Sequence, residues 1–379
     1  MEILQPGVGP IDAATYLPAD PAAVFWGRSP CADDAPVLEV DAGAEVTIDT
    51  ISHEGVLADQ GSDPRAFFAE HGVPADRVLT DAIRLAAERT RDADDGPHVL
   101  TGPVGVRGAT PGDLLAVDIL RLRPRAPYGV ISNRHGRGAL PGEYPRGGAE
   151  VVSIFARVDD PAPGRVDSLD GEAYRSVLPT PTASIARAAE SDARISFPLA
   201  PFLGTIGVAV PGSERPHSVP PGHHGGNIDI KLLVEGTTLY LPVLVPGAGV
   251  YVGDPHFAQG DGEVALTALE APLRATLRLR VIRASDPLAV FVHEHGPVVE
   301  TAEYWVPTGM DPDLGEAMRR AVRASIALLV DRHGMDPEHA YAYLSAATDF
   351  DISQVVDRTT GVHARIRKAD LDGTTGGAA

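Results

Sequence analysis

The sequence predicts an α+β fold that is rich in short strands at first and helical near its end. The 379 residues include 40 glycines and 34 prolines, a composition that favours many turns between short elements. Apolar and polar residues alternate up to about residue 281, and helical periodicity dominates after about residue 311. We therefore expect strand-rich units first and long helices last.

Three runs in the first half alternate as half-buried strands do, namely residues 45–52, 114–122 and 151–158. Two helices are predicted between the first two of these runs, within residues 63–89. The first helix is predicted to begin at Asp63, because an aspartate followed by proline is a favourable N-terminal cap.

Two further strands are predicted in the middle of the chain. Residues 237–245 contain Pro242, which cannot donate a ladder hydrogen bond and therefore predicts an edge strand or a bulge. Residues 274–281 alternate cleanly, which predicts Arg274 and Thr276 on the outer face and the aliphatic residues inside.

The last third changes to helical periodicity. Residues 311–330 and 336–348 predict two helices, and residues 361–367 predict a final strand. The predicted buried stripe of the first of these helices is Leu314, Met318, Val322, Ile326 and Leu329.

These elements divide the chain into four predicted regions. Residues 1–180 contain the first strands with the inserted helices, and residues 181–290 contain further strands. Residues 291–370 form a helical α/β part, and residues 371–379 are expected to be a disordered tail.

Charge and composition limit the partners. A net charge of −20 argues against nucleic acid and anionic membranes, which bind patches of lysine and arginine. The longest apolar stretch, residues 238–252, is interrupted by prolines and is too short to cross a bilayer. A single cysteine, Cys31, and the absence of a signal-peptide pattern predict a cytoplasmic protein.

Residues 223–231, HHGGNIDIK, concentrate polar groups beside two glycines. In an extended chain Asn227, Asp229 and Lys231 would share one face, and the glycines would allow the backbone to approach a ligand. The alternative is a loop with surface histidines.

Residues 253–263, GDPHFAQGDGE, place four carboxylate or imidazole groups within ten residues. In an extended chain Asp254 and His256 would share a face, as would Asp261 and Glu263. These groups are suited to a divalent metal, and clustered carboxylates raise one another's pKa toward values useful for proton transfer. The alternative is an ordinary turn between two strands.

Residues 132–138, SNRHGRG, form a third polar segment. Arg134 or Arg137 could clamp a substrate carboxylate, with His135 between them, or the segment could be a surface loop. His53 ends a predicted strand, where it could face a site or have a structural role.

No Gly-x-Ser-x-Gly elbow and no nucleophile context around Cys31 are present, so covalent serine or cysteine hydrolysis has no support. Several segments resemble, in order, the acetamidase/formamidase family. They are TGPV at 101–104, GATPGD at 108–113, GTIGVA at 204–209, HGGNID at 224–229, YLPV at 240–243, GDPH at 253–256, QGDGE at 259–263, ISQVVD at 352–357 and GVH at 361–363.

The resemblance implies a β-sandwich-like N-terminal part, further β structure, a C-terminal α/β part and a homo-oligomer. It implies hydrolysis of a small linear amide to a carboxylate and ammonia, assisted by a divalent metal, zinc first and calcium as the alternative. The metal ligands implied are His224, Asp229, Asp254 and His256. Catalytic roles fall on Glu263 as general base, Asp261 and Asn227. Substrate-binding roles fall on Gly225, Gly226, Arg134 and His135.

Three features depart from the family pattern: Arg107 stands where an acid is expected, His223 doubles the histidine, and residues 133–137 are unusually basic. They leave a larger or acidic amide open as the substrate, and a cyclic amide or an ester at the same site is a further alternative. A non-catalytic β-sandwich that binds a sugar or metabolite would need exposed aromatic platforms, and only 5% of the residues are aromatic.

Overall fold

The computed structural model describes residues 2–159, 181–187 and 193–371. Residues 372–379 of the predicted tail lie outside this range. The helices are α1 (Pro64–Glu70), α2 (Thr80–Glu88), α3 (Pro287–His295), α4 (Leu314–His333) and α5 (Pro337–Ala347). The strands are β1 (Thr15–Leu17), β2 (Val24–Trp26), β3 (Leu38–Asp41), β4 (Glu45–Asp49), β5 (Val99–Arg107), β6 (Leu114–Pro124), β7 (Tyr128–Arg134), β8 (Val151–Asp159), β9 (Thr182–Ala186), β10 (Arg194–Pro198), β11 (Phe202–Val208), β12 (Gly225–Asn227), β13 (Thr238–Pro242), β14 (Val250–Ala258), β15 (Leu269–Glu270), β16 (Leu273–Ile282), β17 (Val298–Glu300), β18 (Tyr304–Asp311), β19 (Asp349–Gln354) and β20 (Thr360–Arg367).

Two large sheets organise these strands. The first has the order β1-β4-β16-β6-β13-β17-β18-β20-β19. The second has the order β10-β9-β8-β7-β15-β14-β11-β12, and β5 joins it by pairing with β14, β2 and β3. Most pairs are antiparallel, and β1–β4 and β3–β5 are parallel. Strands from distant parts of the chain therefore become neighbours.

The two sheets pack on one shared apolar core, as in a sandwich. Strand β6 begins with a continuous run of apolar residues, and both of its faces are buried there. Leu115 and Val117 face the core between the sheets, whereas Leu114 and Ala116 face a second core beneath the C-terminal helices. A strand buried on both faces needs apolar residues at successive positions.

Helix α4 packs on the outer face of the first sheet with a different stripe from the predicted one. Its most buried positions include Ala317 and Ala321, while Leu314 and Met318 are both 37% exposed. Gly309 on β18 explains the difference, because a Cβ there would lie 2.2 Å from the carbonyl oxygen of Ala317. The helix approaches the strand so closely that small residues, not the largest apolar ones, fill the contact.

Two predictions about middle strands are also wrong. Arg274 and Thr276 are buried, because Arg274 forms an ion pair with Asp49 and the Thr276 hydroxyl hydrogen-bonds the Thr47 hydroxyl inside the protein. Strand β13 lies between β6 and β17 and is not an edge strand. Pro242 is tolerated because it occupies the last position of that strand.

The α+β class and the strand-rich architecture are confirmed. Both sheets contain strands from either side of residue 180, and the division at residues 180 and 290 stays a prediction. None of the helices among the described residues is long and apolar enough to span a membrane.

Candidate active site

The candidate site is built on the second half of β14. Asp254 Oδ2 lies 3.2 Å from His256 Nε2, which confirms that these two predicted residues meet. Strand β15 adds Glu270, which is paired with His256 in the ladder, and Glu270 Oε1 lies 3.0 Å from His256 Nε2. All three side chains are almost completely buried.

Two further histidines approach Asp254 from the other side. His53, in the loop after β4, places Nδ1 at 3.4 Å from Asp254 Oδ1 and 3.9 Å from Glu270 Oε2. His98, just before β5, places Nε2 at 3.8 Å from the same Asp254 oxygen. Both carboxylate oxygens of Asp254 therefore face imidazole rings.

Asp229 and Glu263 complete a second grouping with His256, whose ligand atoms lie within 4.8 Å of one another. Both were predicted site residues. Asp229, Asp254 and Glu263 all have left-handed backbone conformations, with φ near +50°. Such a conformation costs a non-glycine residue about 1–3 kcal/mol, and it persists where the surrounding structure fixes it, often at functional sites.

Asn227 and Asp357 line the same cluster. The Asn227 side chain donates to Asp357 Oδ2 at 2.9 Å and accepts from Thr205 Oγ1 at 2.7 Å. The oxygen and the nitrogen of the Asn227 side-chain amide, predicted to be catalytic, therefore both hydrogen-bond to other protein side chains. Its evident effect is to hold Asp357, which follows β19, against the cluster.

Gly204 provides the room for these groups. The ladder pairs Leu203 with Pro255 and Thr205 with Gly253, so Gly204 lies opposite Asp254. A Cβ on Gly204 would lie 2.6 Å from Asp229 Oδ1 and 2.9 Å from Asp254 Oδ2. Only glycine leaves this space to the carboxylates.

The charge balance of the cluster shifts the pKa of each histidine. Burial lowers the pKa of His98 to about 4, although Asp254 opposes this. Burial also disfavours the charged form of His53, but the carboxylates of Asp254, Glu270 and Glu54 raise its pKa to about 10. His256 likewise has a raised pKa despite burial, because Glu270 and Asp254 contact it.

The pKa values of most carboxyl groups in the cluster are raised. Burial and mutual repulsion raise the pKa of Asp229 and of Glu263 well above their usual range, and burial raises that of Asp357 to about 7. Asp254 is the exception: burial acts against its ionisation, but the adjacent His98 and His256 lower its pKa. The cluster contains more acids than histidines, and a bound cation would stabilise the ionised form of these acids.

The donor atoms fit a divalent cation. Within the described part of the chain, both Asp229 oxygens, Asp254 Oδ1, Glu263 Oε2 and Glu270 Oε2 are buried without a hydrogen-bond partner. Three groupings could hold an ion, and their members are His53, His98 and Asp254; Asp229, His256 and Glu263; and Asp254, His256 and Glu270. Buried imidazole and carboxylate donors of this kind are typical metal ligands.

Several predicted site residues lie outside these groupings. The His224 ring is half-buried beside Gly226, and desolvation lowers its pKa to about 4. Asp261 is part-exposed and pairs with Lys231 at 2.5 Å, so it does not share a face with Glu263. Positive φ angles at Gly262 and Glu263 make this segment a turn, which separates the two acids.

The remaining predicted residues have structural partners. Arg134 is buried and contacts Glu54 and Asp59, and His135 also faces Asp59, at 3.1 Å. Gly225 and Gly226 form β12 with positive φ angles and pair with β11. The substrate-binding roles assigned to these residues stay predictions.

Sequence patterns missed His98, Glu270 and Asp357, and they left His53 undecided. Each comes from a different strand or loop, and no local spacing links them to residues 253–263. The only sequence signal was that Asp357 lies in the family-like segment ISQVVD.

This fold and site define a β-sandwich protein with a buried histidine–carboxylate centre. The sequence profile described as the Acetamidase/Formamidase family matches residues 202–365. The formamidase of Methylophilus methylotrophus is 30% identical over 318 residues, which are 72% of this chain and 76% of that protein. The chain belongs to the acetamidase/formamidase family.

Two other similarities have different extents. The acetamidase of Mycolicibacterium smegmatis is 32% identical over 212 residues, 47% of this chain. That match spans 52% of the relative, about half its length. The crystal structure of a recombinant predicted acetamidase/formamidase from Thermoanaerobacter tengcongensis has a TM-score of 0.69 at 22% identity. It covers 95% of this chain and 98% of that one, so the fold is shared along almost the whole length.

Proposed function

We propose that this protein hydrolyses the C–N bond of a small linear amide to a carboxylate and ammonia at the buried cluster around Asp254. The observation that carries the proposal is the set of buried carboxylate oxygens without partners beside three imidazoles. Family membership supports the reaction class, since relatives are named acetamidase and formamidase.

Asp254, His256 and Glu270 would hold a divalent cation, with His53 and His98 as further donors at the other Asp254 oxygen. When bound, such an ion supplies a Lewis acid that polarises a carbonyl and lowers the pKa of water. Zinc suits this mixture of imidazole and carboxylate, and calcium, which prefers oxygen, is the alternative.

Glu263 is proposed as the general base. Its Oε1 lies 4.0 Å from His256 Nε2, and its Oε2 is buried without a partner. Burial and the nearby Asp357 raise the Glu263 pKa, which brings it toward the range where a carboxyl can take a proton from water and return it to a leaving amine. Asp357 and Asn227 keep this end of the cluster fixed.

The first test is ammonia release from formamide and acetamide by wild-type protein and by Glu263→Gln. We expect kcat to fall by about 10²–10⁴-fold, the usual contribution of a general base. Circular dichroism of both proteins controls for folding. Equal rates would remove the role of Glu263, and full activity in a metal-free preparation would remove the metal.

A larger linear amide is the second candidate, because a cleft of about 510 Å³ lies beside His223, the residue that precedes the segment HGGNID at 224–229. His223 and Thr359 line this cleft. The backbone amide of Thr359 donates to the backbone carbonyl of Asp357, and the Asp357 side chain accepts from Asn227. Asp357, two residues before Thr359, is the acid of the cluster that lies closest in sequence to the lining of this cleft. Relative kcat/KM values for formamide, longer aliphatic amides, amides with a distal carboxylate and cyclic amides discriminate these substrates.

We also propose a homo-oligomer in the cytoplasm. The family likeness supports the first point, and a single cysteine is in line with a reducing compartment. Light scattering coupled to gel filtration tests the oligomer, and a monomer across the working concentration range would contradict it.

A further inference from the structure

A further carboxylate, Glu54, lies behind the site. It differs from the acids inside the site because both of its oxygens have hydrogen-bond or ion-pair partners. Its Oε1 forms an ion pair with Arg134 Nη2 and lies 3.3 Å from His53 Nε2. Its Oε2 accepts from Ser132 Oγ at 2.7 Å and from Gln60 Nε2 at 2.5 Å. Glu54 is therefore fixed in one orientation.

His53 lies between this fixed carboxylate and the cluster. Nε2 faces Glu54, whereas Nδ1 faces Asp254 Oδ1 and Glu270 Oε2 and has no hydrogen-bond partner within the described residues. A carboxylate at one imidazole nitrogen keeps the proton there and directs the lone pair of the other nitrogen toward a metal. The ring is oriented as that arrangement requires.

Arg134 holds the outer end of the same chain of contacts. Its Nη1 lies 3.1 Å from both oxygens of Asp59, and its side chain is only 7% exposed. A buried ion pair of this kind stabilises a fold no better than apolar packing does, so its position directly behind a site histidine calls for another reason.

We propose that Arg134 and Glu54 are positioning residues that orient His53 for a cation at Asp254 and His98. Arg134 holds Glu54, Glu54 fixes the proton on His53 Nε2, and His53 Nδ1 is presented to the ion. This inference rests on the metal-dependent function proposed above. It gives Arg134 a role through His53 and not as a clamp on substrate.

The test measures zinc affinity by chelator competition on full-length protein, without using turnover. Glu54→Gln is expected to raise the zinc dissociation constant about 10–100-fold, the usual effect of losing a carboxylate that orients a ligating histidine. The double variant Glu54→Gln with Arg134→Met removes both charges of the buried Glu54–Arg134 pair and leaves the exposed Asp59 with His135 as its partner. It is expected to show the same loss of zinc affinity.

Asp81→Asn is the matched control, since Asp81 is a buried carboxylate paired with Arg125 at 2.7 Å outside the site. It is expected to leave the zinc dissociation constant unchanged. Glu54 variants that bind zinc as tightly as wild type would overturn the positioning role alone. Wild-type protein that binds neither zinc nor calcium would overturn the metal-dependent function and this inference together.

Discussion

Two buried clusters of charged side chains in this protein differ in charge balance: one is balanced and the other is acidic. In one, Arg274 Nε contacts Asp49 Oδ1 at 2.6 Å, and Arg125 lies between Asp49 and Asp81. In the other, around Asp254, five acids meet three histidines, and every ion pair of these acids found within residues 2–159, 181–187 and 193–371 is with a histidine.

The difference separates a structural cluster from a functional one. Arg274 also donates to the carbonyls of Val8 and Pro10, and Arg125 donates to those of Leu4 and Thr50, so the balanced cluster ties the N-terminal segment to the first sheet. The acidic cluster leaves oxygens unpaired and bends the backbone at three acids. Stability alone does not favour such a cluster, whereas cation binding and proton transfer do.

The sharpest contrast is expected from Asp254→Asn. This change removes a carboxylate that faces three imidazoles, so the site loses several kcal/mol of transition-state stabilisation, or about 10³-fold in kcat. The unfolding midpoint of the metal-free protein should change less than in Asp49→Asn, because the lost attraction to the adjacent histidines is offset by relief of the repulsion from Glu263 and Glu270. Amide hydrolysis and urea unfolding measure the two effects, and a variant that is unstable yet fully active would contradict the assignment.

Asp49→Asn is expected to show the reverse pattern. Arg274 and Arg125 would lose their shared carboxylate, and breaking a buried pair costs about 3–5 kcal/mol of unfolding free energy. The kcat of the folded fraction should not change. A drop in kcat comparable to that of Asp254→Asn would show that the two clusters are not separate in function.

Metal removal should affect only the acidic cluster. An ion at a free concentration of 100 times its dissociation constant stabilises the native state by about 2.7 kcal/mol, and this contribution disappears in chelator. Calorimetry of wild type with and without chelator measures it. Asp254→Asn serves as the control, since its midpoint should not respond, and an equal response in both proteins would place the ion elsewhere.

The smallest effect is expected from Asp261→Asn. Asp261 pairs with the part-exposed Lys231, and such pairs contribute about 0–1 kcal/mol. Both activity and unfolding midpoint should remain near wild type. A fall in kcat like that of Glu263→Gln would instead support the catalytic role predicted for Asp261 from sequence.

The sequence by itself determined the α+β class, six of the twenty strands and half of the candidate site. Asp254 and His256 are two residues apart on one strand, and alternation in a strand is a local property that a sequence displays. Helix α1 was likewise predictable from its aspartate cap, whose side chain accepts from the amides of Arg65 and Ala66.

Only the tertiary structure decided which other groups join them. His98, Glu270 and Asp357 reach Asp254 and His256 because β5 and β15 pair with β14, and because Asn227 holds the segment after β19. It also decided that Arg274 is inside and Met318 outside, since an ion pair with Asp49 and a close contact at Gly309 override the local pattern. Strand order and close packing depend on residues far apart in the chain, which local periodicity does not encode.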